Sequence, residues 1–139
     1  MRYPKEILLK DKTEAIIRPL EKTDESKVGE FYTLIPEKDR WYMRHNVMEP
    51  AVVRMMINAI GKGNVFSTLA IADKDIVGHA SLLMRGFGST EHVGRLRIAI
   101  LPEYRHKRLG TWMLLDLIQC AMDKGLTDLR ADFVVGVED

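Results

Sequence analysis

The chain has 139 residues, 46% hydrophobic and 29% charged, with a formal net charge of +1. That length suits one domain over residues 1–139, and the composition predicts a packed core and excludes disorder. The near-neutral balance argues against a dedicated nucleic-acid binder, and no apolar run approaches membrane-spanning length.

The first elements are two short β-like runs, Glu6 to Lys10 and Glu14 to Arg18, joined by a turn at Asp11-Lys12-Thr13. Thr23 or Asp24 is a helix cap. Val28, Phe31, Tyr32 and Leu34 then predict a helix from Glu25 to about Leu34, ended by Ile35-Pro36. Asp39 to Asn46 reads as a helical turn and loop. Pro50 suits the first turn of a second helix, with an apolar stripe of Val52, Met55, Met56 and Ile60 and a stop at Gly61.

From Val65 the pattern turns to β. Val65 to Ala72 and Ile76 to Met84 are joined by the short hairpin Asp73-Lys74-Asp75. Gly86, Gly88 and Ser89 mark a loop, and His92 to Leu101 is a third strand of this meander. Leu109 to Lys124 is a helix, apolar nearly all round and therefore expected to lie against a sheet. Gly125 stops it, and Leu129 to Val137 is the last strand. The order ββ, α, α, βββ, α, β implies an α/β (α+β) mixed sheet, mostly antiparallel, closed by a right-handed βαβ unit.

The connection inside that unit carries the most information. Arg105, His106, Lys107 and Arg108 follow a strand, and Gly110 opens the apolar helix. A tight loop feeding a helix start leaves backbone N–H groups without intrahelical partners. Those donors, the helix dipole and the basic side chains favour a phosphate or pyrophosphate.

These residues resemble the GNAT superfamily of acyl-CoA N-acyltransferases, whose signature is a strand, an Arg/Gln-x-x-Gly-x-Gly/Ala loop and a helix. Here the loop reads Arg105-His106-Lys107-Arg108-Leu109-Gly110-Thr111. The lead-in Ile98-Ala99-Ile100-Leu101-Pro102-Glu103-Tyr104 and the strand Ile76-Val77-Gly78-His79-Ala80-Ser81-Leu82 are similar to the family's own. The resemblance implies a GNAT-like fold and an acetyl-CoA site. The backbone from Arg105 through Leu109 and Gly110 to Thr111 would hold the pyrophosphate. The pantetheine arm would lie beside Ile98, Ala99 and Ile100 like an added strand, where two parallel strands part. A backbone N–H near Ile100 would stabilise the oxyanion.

Two departures stand out. Arg108 occupies the place of the loop's first glycine. A left-handed backbone there would cost roughly 1–2 kcal/mol, which a guanidinium–phosphate contact could offset. The chain also stops at Asp139, where relatives usually continue with a helix and a hairpin that often bring a tyrosine acid. The resemblance therefore implies a C-terminally truncated domain or a missing part supplied by a partner chain, and an exposed strand that invites a homodimer or strand exchange.

Catalytic groups stay unassigned. The strand that often carries a glutamate base reads His92-Val93-Gly94-Arg95-Leu96-Arg97, so Glu91 and His92 are the nearest titratable candidates. His79 reads better as a hydrogen-bonded core histidine. Arg95 and Arg97 either line a cleft for an acidic acceptor or are simply exposed. Trp41, Tyr42, Met43 and Met48 are candidate acceptor walls, whereas Met55 and Met56 read as core. The single cysteine, Cys120, reads as a small buried hydrophobe, and His45, His79, His92 and His106 lack metal-ligand spacing.

The expected activity is transfer of an acetyl group from acetyl-CoA to a primary amine of a small molecule or protein. The alternative is a non-catalytic acyl-CoA-binding or interaction module. With no metal, no signal core and no membrane segment expected, the setting reads as cytoplasmic.

Overall fold

In a computed structural model of the chain, the described residues are 3–40, 50–61, 63–84 and 92–137. Six strands form one sheet in sequence order. They are β1 (Lys5–Leu8), β2 (Glu14–Pro19), β3 (Val65–Ala72), β4 (Asp75–Met84), β5 (Val93–Ile100) and β6 (Asp128–Val135). Neighbours are antiparallel except β5 and β6, which run parallel. The mixed sheet predicted from element order is therefore present, with its parallel pair at the end.

The parallel pair needs a crossover, and α4 (Leu109–Asp123) supplies it. Met113, Leu117, Cys120 and Ala121 recur at helical spacing and are all buried, so one face of α4 packs on β4 and β5. The helix is not covered all round: Trp112, Leu115 and Met122 are exposed. Asp116 is buried on its flank, accepting from Lys5 Nζ at 2.6 Å and from the Tyr3 hydroxyl at 2.7 Å. This ties α4 to the first strand.

The other face of the sheet is covered by α1 (Glu25–Thr33) and α3 (Pro50–Asn58), which pack on each other. Between them in the chain lies the short α2 (Glu37–Arg40), one turn of helix that takes in Asp39, where the expected helical turn begins; the rest of that stretch lies outside the described residues. A 3-10 turn over Lys22–Asp24 precedes α1, and Arg18 grips Asp24 with both terminal nitrogens at 2.8 Å. That pairing holds the Asp24 carboxyl below its usual range and fixes where α1 begins. The stripe expected on α3 holds at Met56 and Ile60, which are partly buried, but the buried residues are Val53 and Ile57 and Met55 is exposed; the Val52 side chain lies outside the description. A helix on a twisted sheet can turn by one residue and keep an apolar face, because its sequence is apolar on more than one side.

β4 is buried along most of its length, from Ile76 to Leu82, as expected for a central strand covered on both faces. The β3–β4 hairpin turns through Asp73 and Lys74, both with positive φ (52° and 70°), the two-residue geometry that matches strand twist.

Candidate functional site

The loop between β5 and α4 sits outside the carboxyl ends of the parallel strands, the usual ligand position in such sheets. Leu101 anchors it by donating its N–H to the Val77 carbonyl at 3.0 Å. A 3-10 turn over Pro102–Tyr104 follows. It commits the Arg105 N–H to the Pro102 carbonyl at 3.3 Å.

The basic side chains have unequal surroundings. Arg105 turns inward: its Nε–H donates to the Ile100 carbonyl at 2.8 Å. Its Nη1 lies 2.9 Å from Asp39 Oδ2, with both side chains about 15% exposed (15% and 14%). Lys107 turns toward the first hairpin, with Nζ 2.8 Å from Asp11 Oδ2, and its carbonyl accepts the Lys10 N–H at 3.0 Å. The hydrogen bond from Lys107 holds the Asp11 carboxyl well below the usual carboxylate range. Arg108 is exposed, and no carboxylate among the described residues engages it.

The backbone explains the sequence's oddity. Arg108 caps α4 in the left-handed region, at φ 72° and ψ 7°, and His106 is also left-handed at φ 62°. The strain expected of a non-glycine residue at this place is therefore present. The first α4 hydrogen bond runs from Trp112 N–H to the Arg108 carbonyl at 3.0 Å. The N–H groups of Leu109 and Gly110 thus lie outside the helical ladder. Leu109 and Gly110 are buried, and Thr111 is half-buried beside them.

Ile98, Ala99 and Ile100 are fully buried at the end of β5. The resemblance implied that the parallel strands part here, leaving unpaired backbone groups. Instead, Ile98 lies opposite Val134 and Ala99 opposite Val135, with β4 on the other side. The ladder skips one residue of β6 opposite Leu96/Arg97 and then resumes, so a local bulge restores the pairing. The gap begins only at Ile100 and Gly136, where the Arg105 side chain lies. A Cβ on Gly136 (φ 88°) would stand 2.6 Å from Arg105 Nε and 2.9 Å from Ile100 Cβ. Glycine is needed for both its backbone and this close approach. A cavity of about 640 Å3 opens here, lined by Lys38, Asp39, Arg105, His106, Val134, Val135 and Gly136.

On the α1 side of the sheet, β4 and β5 present His79, Ser81, Arg97 and Arg95, since Ser81 pairs with Arg97 and Leu83 with Arg95. His79 is a core histidine, 3% exposed. Its Nδ1 meets the Tyr32 hydroxyl and its Nε2 lies 3.2 Å from Ser81 Oγ, which in turn lies 2.8 Å from Ser67 Oγ. Burial, aided by the charge of Arg97, lowers the His79 pKa to about 4, and burial raises that of Tyr32. Tyr32, His79, Ser81 and Ser67 thus form one continuous buried hydrogen-bonded chain around a neutral imidazole.

Among the expected site residues, the loop from Arg105 to Thr111 and the strand end Ile98–Ile100 are brought together. His92 lies at the far, amino end of β5, away from this loop. Glu91, Trp41, Tyr42, Met43 and Met48 lie outside the described residues, as do His45 and the loop of Gly86, Gly88 and Ser89. Cys120 is buried, as expected. Among the described residues no group of His, Cys, Asp or Glu could hold a metal, and no helix is long and apolar enough to cross a membrane. Sequence reasoning missed Asp39, Asp11 and Gly136. None carries a local signal, because each matters only through a residue distant in the chain.

A family model for the acetyltransferase (GNAT) family matches residues 23–136. A search of curated proteins finds no match. Solved structures with the same fold include the GNAT domain of S. lividans PAT, 13% identical over 91% of this chain and 76% of that one, with a TM-score of 0.77. PaiA N-acetyltransferase from Thermoplasma acidophilum, in complex with coenzyme A, is 19% identical over 84% of this chain and 77% of its own, with a TM-score of 0.69. A predicted acetyltransferase from Clostridium acetobutylicum with acetyl-CoA is 14% identical over 84% and 79%, with a TM-score of 0.67.

Proposed function

Because the chain belongs to the GNAT acetyltransferase family, we propose that it transfers an acetyl group from acetyl-CoA to a primary amine. The observation that carries this reading is the loop from Arg105 to Thr111, set between the carboxyl end of β5 and the start of α4. The Leu109 and Gly110 N–H groups lie outside the helical ladder there and are suited to an anion. The exposed Arg108 side chain adjoins them in the chain, and no carboxylate among the described residues engages it. The cavity next to Arg105 adds polar walls for the rest of the donor. Similar folds that hold coenzyme A or acetyl-CoA support the same donor class.

In this reading Arg108, Leu109, Gly110 and Thr111 bind the pyrophosphate, and the pantetheine arm enters where β5–β6 pairing ends, at Ile100 and Gly136. The bound donor supplies an activated thioester. Arg95 and Arg97 line the acceptor side, where a positive field favours a neutral amine over an ammonium and suits an acceptor that carries an acid group. The amine's proton then passes to water or to a base outside β5, since that strand has arginines where a carboxylate would stand. A cytoplasmic setting goes with this reading, acetyl-CoA being an intracellular metabolite.

The test is incubation with acetyl-CoA and a panel of amines and peptides, with free thiol followed. Thiol release above the uncatalysed rate with one acceptor class supports transfer. Coenzyme A binding in calorimetry without turnover for any acceptor would favour the non-catalytic acyl-CoA-binding module, which the arginines of β5 keep open as a second reading. No binding at millimolar coenzyme A would overturn both.

A further inference from the structure

We infer that Asp39 is a positioning residue for acyl-donor binding: it holds the Arg105 guanidinium so that Nη2 meets an oxygen of the donor at the carboxyl ends of β5 and β6. This rests on the donor site proposed above.

The guanidinium is planar, so two fixed contacts define the direction of its third nitrogen. Here the Nε–H donates to the Ile100 carbonyl at 2.8 Å, and Nη1 stands 2.9 Å from Asp39 Oδ2. Nη2 is left buried with no hydrogen-bond partner among the described residues. A buried N–H without an acceptor is unfavourable, and a cation so placed is completed by an oxygen ligand. The neighbouring cavity, with Asp39, Arg105, His106 and Gly136 in its wall, gives such a ligand room.

Asp39 is itself unsettled. Its Oδ2 is at ion-pair distance from Nη1, yet it lacks the alignment of a hydrogen bond. Both side chains are largely buried (14% and 15% exposed). Asp39 comes from α2, an element outside the strand–loop–helix unit. It therefore couples the helix on the acceptor side of the sheet to the donor loop. A structural staple would hold α2 in place and leave donor affinity alone. A positioning residue acts on donor affinity through Arg105.

The experiment compares the wild type with Asp39→Asn, Arg105→Lys and the double variant. Coenzyme A affinity is read by calorimetry, KM and kcat with acetyl-CoA by thiol release, and folding by thermal melting. Asp39→Asn keeps the side-chain shape and removes only the charge. It is expected to weaken coenzyme A binding about 5- to 10-fold and to raise the KM for acetyl-CoA, with kcat falling no more than about twofold. The double variant should bind no worse than the weaker single variant, because both changes break one interaction. The Arg105 Nε–H resonance should shift on adding coenzyme A to the wild type and shift less in Asp39→Asn, a readout independent of turnover. Wild-type affinity in Asp39→Asn, with or without a lower melting temperature, would overturn the inference and leave a staple. So would additive losses in the double variant. If the wild type binds no coenzyme A, the donor site and the inference fall together; if it binds and Asp39→Asn binds equally, only the inference falls.

Discussion

Gly110, in the first turn of α4, and Val137, just beyond β6, approach so closely that a Cβ on Gly110 would stand 2.8 Å from Val137 Cα. The clash is with backbone, which cannot swing aside as a side-chain tip can. Gly110 is thus where the β5–α4 loop and the strand end are packed against each other. Gly110→Ala should force α4 away from β6 at a cost of about 1–3 kcal/mol. It should also weaken coenzyme A binding, because the Gly110 N–H moves with the helix. Denaturant unfolding and calorimetry check the two effects; an alanine variant as stable as the wild type would contradict the packing.

Arg108 makes the opposite case, a side chain where glycine would be easier. Its φ of 72° is a strained one for arginine. Glycine there relieves roughly 1–2 kcal/mol of strain and returns part of it as unfolded-chain entropy. Arg108→Gly should raise stability by about 0.5–1 kcal/mol and shift the melting temperature up. The same change should weaken coenzyme A binding several-fold and make it less salt-sensitive, since a surface cation facing phosphate is screened by salt. Unchanged affinity at low salt would remove Arg108 from the phosphate site.

His79 sets an acid limit on the fold. Its pKa is lowered to about 4, against about 6.5 in an unfolded chain. Between those values the unfolded chain binds the proton and the folded one does not. Stability is therefore full above about pH 6.5, falls as the pH drops toward 4, and levels off below that for this group. The loss is about 3 kcal/mol at the low end. His79→Gln should flatten the slope across this window in urea titrations at several pH values. A variant with the wild-type slope would show that other groups produce it.

The buried Asp116 is paired with a lysine that is itself 31% exposed. Lys5→Met removes the cation and leaves the carboxylate inside, with the Tyr3 hydroxyl still donating. The expected cost is about 3 kcal/mol, larger than that of Asp116→Asn, which removes the charge needing compensation. Thermal melts of the two variants test the order.

The loop between β5 and α4 was legible because it is local. Arg105 to Thr111 are consecutive, and a strand, a short basic loop and an apolar helix are written in periodicity and turn residues. That Arg108 could need a left-handed backbone came from the resemblance, whose loop has glycine at this place, and the core role of His79 came from its apolar neighbours. The stripe on α3 was read correctly at Met56 and Ile60 but missed Val53 and Ile57, because a helix apolar on several sides does not specify which side meets the sheet. Met55 was lost to solvent for that reason.

The sequence by itself determined the order of elements, the parallel pair at the end and the position of the loop, all set by short-range patterns along the chain. Only the tertiary structure decided which basic side chains remain available there. Asp39 and Asp11 reach Arg105 and Lys107 from elements far away in sequence, and ion pairing acts through space. The pairing of β5 with β6 as far as Ala99 was likewise decided in three dimensions. Strand register depends on a bulge in one strand matching the other, and neither strand encodes that match alone.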